Sequence, residues 1–482
     1  MRLAAAFERF PRLVGAIAAA FAALPSLIVF RGFTVDDALV SARVASHLAD
    51  GVGYRFNPTG PEVDAVTPLG WAHLLAAAGP GTPLAMLERG RLLGALGWLA
   101  AVATLGALLA RSGALGRRTA LLLLALCAPA AAWATSGMET GFVTAFSTLA
   151  LAAGPGGALA GGVAAALRPE LAPYACVLAA GDALLVQDEP RRRAGRVALA
   201  LALSLGPALA VALVRSAWFG TPAPLALSAK PPDLLPGLGY ALVAALGIPL
   251  VVVLVAPLAL RRGGPKLWRL TLAVAAHFAA VALAGGDWMP LFRLMIPVVP
   301  ALLLAVAELA ATASRRFYLA RVAVAVAMSL WVAILGAWPA RGVLADRLEL
   351  IEHLRLPLRD ARVTATVDAG LVGASTEQAL LDLAGVTDPT VARLSGGHTS
   401  KRVPEGLLES RGVDHAVFEL APGTRVADPW PDSRFVHAVS ARLAGTPFLE
   451  RFELVAELPL GRSRRYVVVR KSERYPPLHP QN

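Results

Sequence analysis

Long apolar runs recur along the chain from about Leu13 to Trp338, and then they stop. Many of these runs approach the roughly 20 residues that a helix needs to cross the hydrocarbon core of a bilayer. A segment inside a bilayer must satisfy its own backbone N–H and C=O groups, so we expect these runs to be helices. Only 16% of the 482 residues are charged and 56% are apolar, which is unusual for a soluble domain. The sequence therefore predicts an integral membrane protein that has the lipid bilayer as a partner.

The lengths of the runs predict about eleven transmembrane helices. The stretch 68–79 is apolar but only about twelve residues long and carries His73, so we expect an interfacial or re-entrant helix there. The first run follows Arg2, Arg9 and Arg12 without a clear small-x-small cleavage site, which indicates a retained signal anchor. The eleven predicted helices lie near residues 13–30, 87–110, 119–135, 140–153, 157–168, 171–187, 197–214, 240–260, 270–284, 294–313 and 321–338.

Basic residues collect in short loops on one side of this eleven-helix arrangement. Short cytoplasmic loops of membrane proteins are rich in Lys and Arg, so the pattern favours a cytoplasmic N-terminus and an extracytoplasmic C-terminal region. It also explains the net charge of +12 without nucleic acid, which we exclude as a partner. The basic loops contain Arg111, Arg117 and Arg118; Arg191, Arg192, Arg193 and Arg196; Arg261, Arg262, Lys266 and Arg269; and Arg315, Arg316 and Arg321.

The region after the last apolar run has mixed charge and is expected to be a separate soluble domain. Strand-like runs at 362–367, 416–420 and 466–469 alternate there with helix-like runs such as 405–411. We predict a transmembrane catalytic domain over 1–339, with a first outer loop over 31–86 that carries juxtamembrane helices. An extracytoplasmic α/β domain over 340–482 follows. Cys127 and Cys176 both lie in apolar runs, so we expect neither a disulfide framework nor a cysteine metal site.

Two adjacent carboxylates, Asp36 and Asp37, stand directly after the first helix, at the predicted outer boundary of the membrane. One could be a general base toward a hydroxyl group, or the pair could bind a divalent ion. The structural alternative is that they cap a helix over 38–48. The sequence contains no further cluster with metal-ligand spacing, so we predict neither a metal site nor a cofactor.

The other loops predicted on the outer side, and the region after them, carry motifs in a fixed order. After Asp36 and Asp37 come Gly51-Val-Gly53, Asn57-Pro58, Thr67-Pro-Leu-Gly-Trp71, Ser136-Gly-Met-Glu-Thr140, Leu167-Arg-Pro-Glu170, Gly285-Gly-Asp-Trp-Met-Pro290 with Arg293, Val367-Asp-Ala-Gly370 and Leu381-Asp-Leu-Ala-Gly-Val-Thr-Asp-Pro389. In this order the motifs resemble those of C-type glycosyltransferases, which take sugars from polyprenyl phosphate carriers. Within that class the chain most resembles terminal β-(1→2) arabinofuranosyltransferases, over nearly its whole length.

The resemblance implies the C-type glycosyltransferase (GT-C) fold, an α-helical multi-pass membrane domain followed here by the α/β domain. It also implies an inverting transfer of a sugar, a pentofuranose such as arabinofuranose or a hexose, from a polyprenyl-phosphate donor. The acceptor would be a cell-envelope glycan on the outer face of a bacterial plasma membrane. Asp36 or Asp37 would be the base, and Asp36 is slightly preferred because it lies closer to the membrane surface.

The remaining site residues follow from the same resemblance. At 63–67 the chain reads Val-Asp-Ala-Val-Thr and departs from the family, in a loop that is expected to contact sugar or acceptor. The predicted donor-phosphate ligands are Arg293 and Lys230, which are preferred, with Arg168 and Arg215; each could instead be a snorkelling side chain that anchors a helix end. The predicted sugar or acceptor ligands are Arg43, Asn57, Glu62, Asp64, Trp71, Glu139 and Asp287.

Two other functions stay open, a transporter or flippase of polyprenyl-linked sugars and a non-catalytic membrane scaffold. A transporter would more often place its polar groups near the membrane midplane, on broken helices in repeated halves. The chain shows no internal repeat. The histidines His73 and His277 stand alone in apolar segments, so we interpret them as helix contacts. An enzyme is therefore the leading prediction.

Overall fold

The computed structural model describes residues 10–230, 232–398, 400–420, 451–461 and 464–472. The chain divides into two compact units. The helical unit comprises residues 10–34, 88–222 and 232–342. The mixed unit comprises residues 35–87, residues 223–230 and the described part of 343–472. The first loop and the C-terminal region thus belong to one unit.

The helical unit consists of apolar helices and short connections. A single 3₁₀ turn, Pro169–Leu171, follows the helix Pro155–Leu167, and a longer 3₁₀ segment covers Pro290–Val298. A π-helical stretch, Val332–Ala337, precedes the short helix Trp338–Ala340. The other helices are Pro11–Phe30, Pro83–Leu109, Ala114–Ala125, Ala128–Ala134, Thr140–Leu149, Pro155–Leu167, Ala172–Leu185, Pro190–Phe219, Leu234–Gly247, Leu250–Leu254, Pro257–Arg261, Pro265–Leu283, Val299–Leu309 and Arg315–Trp331.

Six helices in the described part of the chain are long and apolar enough to cross a membrane. A seventh crossing results if the helix Ala114–Ala125 and its bent continuation Ala128–Ala134, at 57° to each other, form one span. The chain is therefore a mostly helical membrane protein. The six are Pro11–Phe30, Pro83–Leu109, Pro190–Phe219, Pro265–Leu283, Pro290–Leu309 and Arg315–Arg355.

Each of the eleven predicted runs contains a helix, but several of these helices are short. Thr140–Leu149, Pro155–Leu167 and Leu234–Gly247 have 10 to 17 residues, whereas a full crossing of the hydrocarbon core takes about 20. Pro249 and Pro257 also divide the predicted run 240–260 into three helices, because proline cannot continue a helix without losing a hydrogen bond. The count of about eleven spans, and with it the side on which each loop lies, stays a prediction.

Small residues allow the helices of this unit to pack closely. A Cβ atom added to Gly106 would lie 2.1 Å from the carbonyl oxygen of Gly15, on the helix Pro11–Phe30. A Cβ atom on Gly141 would lie equally close, 2.1 Å, to the carbonyl oxygen of Gly94. Membrane helices often associate through such small residues, because they have little hydrophobic force to hold them together. A larger side chain at either contact would push two helices apart.

The mixed unit contains a five-stranded sheet in the order β2-β1-β3-β5-β4. β1 is parallel to β2 and β3, whereas β5 is antiparallel to β3 and β4. The strand-like runs predicted from the sequence lie in β1, β3 and β5. The strands are β1 (Val363–Thr366), β2 (Ala379–Asp382), β3 (His415–Leu420), β4 (Phe452–Leu460) and β5 (Arg464–Lys471).

Eight helices accompany this sheet in the described part of the mixed unit. The stretch predicted as an interfacial helix forms Leu69–Ala76, which packs against the helix Asp36–Ala49. An apolar core that includes Ala365, Leu381 and Phe418 lies beneath the sheet. The eight helices are Asp36–Ala49, Leu69–Ala76, Leu225–Ala229, Val343–Arg355, Ala369–Gly373, Pro389–Ala392, Glu405–Ser410 and the first residues of Pro83–Leu109.

Candidate functional site

The adjacent carboxylates of the first loop begin a helix, Asp36–Ala49, which we call the first-loop helix. Both side chains lie in its first turn, where a negative charge interacts favourably with the positive end of the helix dipole. Asp36 and Asp37 are half-buried. Adjacent residues on a helix point in directions about 100° apart, so the two carboxylates serve different surroundings.

The Asp36 carboxylate holds a second helix that lies far away in the sequence. Its Oδ2 atom accepts a hydrogen bond from the backbone N–H of Gly370 at 3.0 Å, and its Oδ1 atom accepts one from Leu371 at 2.7 Å. These N–H groups begin the helix Ala369–Gly373, which we call the clamped helix. Asp36 thus satisfies backbone donors that have no partner inside that helix.

Arg43 binds the opposite end of the clamped helix. Its Nη1 atom donates to the carbonyl oxygens of Gly373 and Thr376, and its Nη2 atom donates to that of Gln378 at 2.8 Å. Its Nε atom donates to the carbonyl oxygen of Phe56 at 2.9 Å. The side chain is 1% exposed, and burial lowers its pKa to about 10. All four of these contacts are with backbone carbonyls, so this predicted sugar ligand organises the chain itself.

Asp36 and Arg43 stand seven residues apart, which is two helical turns, so they lie on the same face of the first-loop helix. The anionic side chain meets the N-terminus of the clamped helix and the cationic one meets its C-terminus. Both charges therefore interact favourably with the dipole of the clamped helix. The backbones also approach closely, because a Cβ atom on Gly370 would lie 2.1 Å from the carbonyl oxygen of Asp36. The Asp-Ala-Gly motif at 368–370 is explained by this packing.

A second carboxylate stands close to Asp36. Burial and the negative charge of Asp368 raise the pKa of Asp36 to about 7, although Arg347 and the backbone N–H groups act to lower it. The hydroxyl of Tyr466, on β5, donates to Asp368 Oδ2 at 3.0 Å. The two carboxylates, Arg347 and Tyr466 therefore form one polar cluster, in which Asp36 titrates near neutral pH.

Asn57 fastens the first loop to an edge of the sheet. Its Nδ2 atom donates to the carbonyl oxygen of Leu380 at 2.8 Å, and its Oδ1 atom accepts from the N–H of Leu380 at 2.9 Å. β2 is an edge strand, and an edge strand presents unpaired backbone groups. The Asn57 amide pairs with them as a neighbouring strand would.

Three other predicted ligands lie elsewhere in the first loop. Glu62 is exposed and comes close to Gly53, where an added Cβ would lie 3.2 Å from the Glu62 Oε1 atom. Asp64 is 5% exposed and Trp71 is 1% exposed. Asp64 and Trp71 are therefore interior residues of the mixed unit. Glu62 is the one residue of these three that is exposed to solvent.

In the helical unit, two of the loop motifs meet in a buried ion pair. Glu139 is completely buried and pairs with Arg168, which is 7% exposed and also lies 3.6 Å from the carboxylate of Glu170. A buried carboxylate needs such a counter-charge, because an unpaired charge in a low dielectric is very costly. The Ser-Gly-Met-Glu-Thr and Arg-Pro-Glu motifs therefore depend on each other.

A second ion pair lies within the motif that runs from Gly285 to Arg293. Arg293 donates from Nε to Asp287 Oδ2 at 2.9 Å, and its Nη2 atom lies 2.8 Å from the same oxygen. Its guanidinium also lies over the ring of Trp133, 5.6 Å from the centroid. An aromatic face attracts a cation by its quadrupole. The arginine is thus held in one orientation by a carboxylate and an indole ring.

The backbone directly before Arg293 is strained. Leu291 and Phe292 have φ values of 60° and 56°, in the left-handed region that residues with a side chain rarely adopt. The indole Nε1 of Trp133 donates to the carbonyl oxygens of both Pro290 and Leu291, each at 3.1 Å. This bifurcated bond holds the turn that sets the direction of Arg293.

Two further side chains connect these motifs. The ring nitrogens of His277 lie 3.1 Å from the carbonyl oxygen of Glu170 and 2.8 Å from that of Leu294. The hydroxyl of Tyr240 accepts from the Leu294 N–H at 3.3 Å and interacts electrostatically with Asp287, Arg293 and Arg168. Segments near residues 139, 168–170 and 287–294 therefore gather into one polar cluster, which we call the arginine cluster.

The other two predicted phosphate ligands lie outside these contacts. Arg215 is 2% exposed on the long helix Pro190–Phe219 of the helical unit. Lys230 belongs to the mixed unit, where it ends the short helix Leu225–Ala229 that packs against Pro389–Ala392. It is half-buried and forms no ion pair with a described residue.

Several residues of these clusters were not predicted. Trp133 and Tyr240 lie in apolar runs, where an aromatic residue carries no sequence signal that separates a support from ordinary packing. Arg347 and Tyr466 belong to the C-terminal region; Arg347 interacts with Asp36, more than 300 positions earlier, and Tyr466 binds Asp368, 98 positions earlier. The described residues contain no group of three or more His, Cys, Asp or Glu side chains that could hold a metal ion. Asp36 and Asp368 lie close together, but they form a group of only two carboxylates.

No protein-family model and no curated protein sequence matches this chain. Among solved structures, the chain is similar to a cryo-EM structure of the arabinofuranosyltransferase AftD from Mycobacteria, with a TM-score of 0.38 and 13% sequence identity. The similarity covers 96% of this chain but 40% of AftD, so this chain spans less than half the length of that protein.

Proposed function

We propose that this protein is an inverting glycosyltransferase of the membrane. It would move a sugar, a pentofuranose such as arabinofuranose or a hexose, from a polyprenyl-phosphate donor to a cell-envelope glycan acceptor. The reaction would take place on the outer face of a bacterial plasma membrane. The order of the loop motifs supports this proposal, because each motif lies in a loop that the charge pattern assigns to that face.

The arginine cluster is the observation that carries the proposal. Its residues come from three motifs spread over about 150 positions of the chain, yet ion pairs and hydrogen bonds join them in the helical unit. Arginine suits a phosphate because its planar guanidinium matches two phosphate oxygens. Arg168 and Arg293 are each held by a carboxylate, so little reorganisation would be needed when the donor phosphate binds. Glu139 and Asp287 would orient these cations.

For the general base we favour Asp37 over Asp36. Both oxygens of Asp36 accept hydrogen bonds from the clamped helix, so its carboxylate is committed to a structural contact. Asp37 follows it on the same helix and points in a different direction. Asp36 would then be a positioning residue, which fixes the helix that carries the base.

The chemistry follows from the donor. The acceptor hydroxyl oxygen attacks the anomeric carbon from the face opposite the phosphate, and the bond between that carbon and the phosphate oxygen breaks. The hydroxyl proton passes to the Asp37 carboxylate, and the polyprenyl phosphate leaves with the bonding electron pair. General-base catalysis of this kind contributes about 100-fold to 10,000-fold in rate. The arginines would stabilise the phosphate charge that grows as the bond breaks.

Purified protein incubated with labelled polyprenyl-phospho-sugars, both pentofuranose and hexose, tests this proposal. We expect one donor class to yield a glycan product with inverted anomeric configuration. Asp37→Asn should lower kcat about 100-fold or more, while its stability should fall by no more than about 1 kcal/mol, from the lost interaction with the helix dipole. Asp36→Asn is the matched control, and its loss of activity should follow its loss of folded protein.

Two results would contradict the proposal. Transfer by Asp37→Asn at the wild-type rate would exclude Asp37 as the base. Movement of an intact polyprenyl-linked sugar across a vesicle membrane, without any glycosidic product, would identify a flippase instead.

A further inference from the structure

A cavity of about 560 Å³ lies in the helical unit, away from the arginine cluster. Four cations from three parts of the chain line it: Arg12 in the first turn of Pro11–Phe30, Arg111 just after Pro83–Leu109, and Lys266 and Arg269 near the start of Pro265–Leu283. The remaining walls are mainly apolar and include Leu108, Leu185 and Leu304. A basic rim over apolar walls suits an amphiphile with a negative head.

The cavity carries more positive than negative charge. Arg269 pairs with Asp182, and Lys266 pairs with Glu308 at 2.8 Å. Arg12 and Arg111 form no ion pair with a described residue and are exposed. Their two charges are therefore in excess, and an anion could balance them without displacing a protein carboxylate.

Arg269 is held in place by the protein. It is 8% exposed, and its Nη2 atom donates to the carbonyl oxygen of Leu151 at 3.3 Å. Gly181 makes room for the side chain, because a Cβ atom there would lie 2.8 Å from Arg269 Cγ. The Nε atom of Arg269 is buried and has no hydrogen-bond partner among the described residues. The fold thus keeps a buried cation with an unused donor at this cavity.

An apolar stripe begins beside the cavity. Leu13 is next to Arg12, and Ile17 and Phe21 follow Leu13 at intervals of four residues, so the three apolar residues share one face of the helix. They are 59%, 48% and 68% exposed, respectively. Apolar side chains this exposed on a membrane-spanning helix face lipid tails. A bound lipid could place its head at Arg12 and its acyl chains along this stripe.

We propose that this cavity binds the phosphodiester head of an anionic phospholipid. Basic pockets between transmembrane helices bind such heads by charge, while the acyl chains pack on the neighbouring helix surface. Phosphatidylglycerol has the required net negative charge, whereas phosphatidylcholine carries the same phosphodiester with a compensating cation. The inference does not depend on the proposed enzymatic function.

Native mass spectrometry of the full chain, released from a neutral detergent, tests this proposal. We expect phosphatidylglycerol to remain bound about tenfold more tightly than phosphatidylcholine, a difference of about 1.4 kcal/mol. The double variant Arg12→Gln/Arg111→Gln should remove this preference. The matched control is Arg261→Gln/Arg262→Gln, which removes the same charge from exposed residues just before Lys266 that do not line the cavity. It should bind as the wild type does.

Three results would overturn the proposal. Equal binding of the two lipids would show that the negative head is not selected. An equal loss in the control variant would indicate general surface charge rather than this cavity. Saturable binding of soluble glycerol phosphate as tight as that of phosphatidylglycerol would indicate a small-anion site. Melting temperatures measured without lipid check that each variant is folded.

Discussion

The two units of this protein use their buried charges differently. In the helical unit, the charged residues of the motifs neutralise each other: Arg168 with Glu139, and Arg293 with Asp287. In the mixed unit, several charged residues instead bind the backbone. Examples there are Asp36 and Arg43 on the clamped helix, Asp382 on the N–H groups of residues 384 and 387, and Lys401 on two carbonyl oxygens.

The difference separates two kinds of work. A charged side chain that binds the backbone fixes the path of the chain. Its hydrogen-bonding atoms are already used, so we do not expect it to bind a ligand. An arginine that pairs with a carboxylate is held in place by that pair and would keep further N–H donors for a substrate phosphate. Sequence motifs of the two units look alike, since both contain Asp, Arg and Gly in short loops. We therefore expect the charges that bind the backbone to serve folding and the paired arginines to serve substrate binding.

The largest effect is expected from breaking an ion pair of the helical unit. Arg168→Gln leaves the completely buried Glu139 without its counter-charge, which should cost about 3–5 kcal/mol. The double variant Arg168→Gln/Glu139→Gln should recover more than half of that loss, because no buried charge remains. Thermal unfolding in detergent, followed by tryptophan fluorescence, measures both.

The pair of Arg91 and Glu88 serves as a control for this experiment, because the Glu88 side chain is 59% exposed. Glu88→Gln should cost less than about 1 kcal/mol, because water solvates an exposed carboxylate well. If the double variant of the buried pair is no more stable than Arg168→Gln alone, charge neutralisation is not what holds the two motifs together.

A smaller effect is expected when a charge that binds the backbone is removed. Asp36→Ala takes away the cap of the clamped helix, which should cost about 1–2 kcal/mol. Hydrogen exchange should become faster at Gly370 and Leu371, whose N–H groups lose their acceptor. The matched control is Asp388→Ala, since Asp388 caps the helix Pro389–Ala392 within its own segment. Exchange should then become faster at residues 390 and 391 only, and unchanged exchange at 370 and 371 in Asp36→Ala would contradict the clamp.

The smallest effect is a dependence on pH. Because the pKa of Asp36 rises on folding from its ordinary value to about 7, its contribution to stability is complete below about pH 4 and is lost as the pH rises through 7. Asp368→Asn removes the neighbouring negative charge and should bring this pKa down. The fall in melting temperature between pH 5 and pH 8 should then be smaller than in the wild type, by about 2–4 °C for each kcal/mol recovered.

Asp414→Asn is the control for this pH dependence. Burial acts to raise the pKa of Asp414, but hydrogen bonds from His415 and from residues 362 and 363 lower this pKa to about 2. The contribution of Asp414 to stability is therefore present above about pH 4 and is lost only in stronger acid. Asp414→Asn should leave the fall in melting temperature between pH 5 and pH 8 as it is in the wild type. An unchanged slope in Asp368→Asn would show that the two carboxylates do not interact.

Much of the helical architecture could be predicted from the sequence, because apolar length is a strong signal. The runs at 13–30 and 270–284 correspond to Pro11–Phe30 and Pro265–Leu283. The number of crossings could not be fixed in the same way. Gly and Pro residues near the ends of Thr140–Leu149 and Leu234–Gly247 shorten these helices below a full span, although their composition is as apolar as that of the longer ones.

The candidate site was predictable only in part. Asp287 and Arg293 lie six positions apart in one motif, so their contact is a local property. The roles of Arg43 and Asn57 are not, because their partners are backbone groups more than 320 positions later. A carbonyl oxygen has no residue type, so no sequence pattern indicates which carbonyl an arginine will bind.

The clamped helix also has a consequence for the synthesis of the protein. Asp36 and its acceptor site at Gly370 are 334 positions apart in the chain. At roughly 5–20 residues per second, a ribosome needs roughly 17–67 s to make the intervening chain. During that time most of the apolar helices are synthesised, but the clamped helix that the first-loop helix binds has not yet been made. The first loop therefore reaches its final conformation late, when the C-terminal region arrives, and a chain that stops before residue 369 would leave it unfinished.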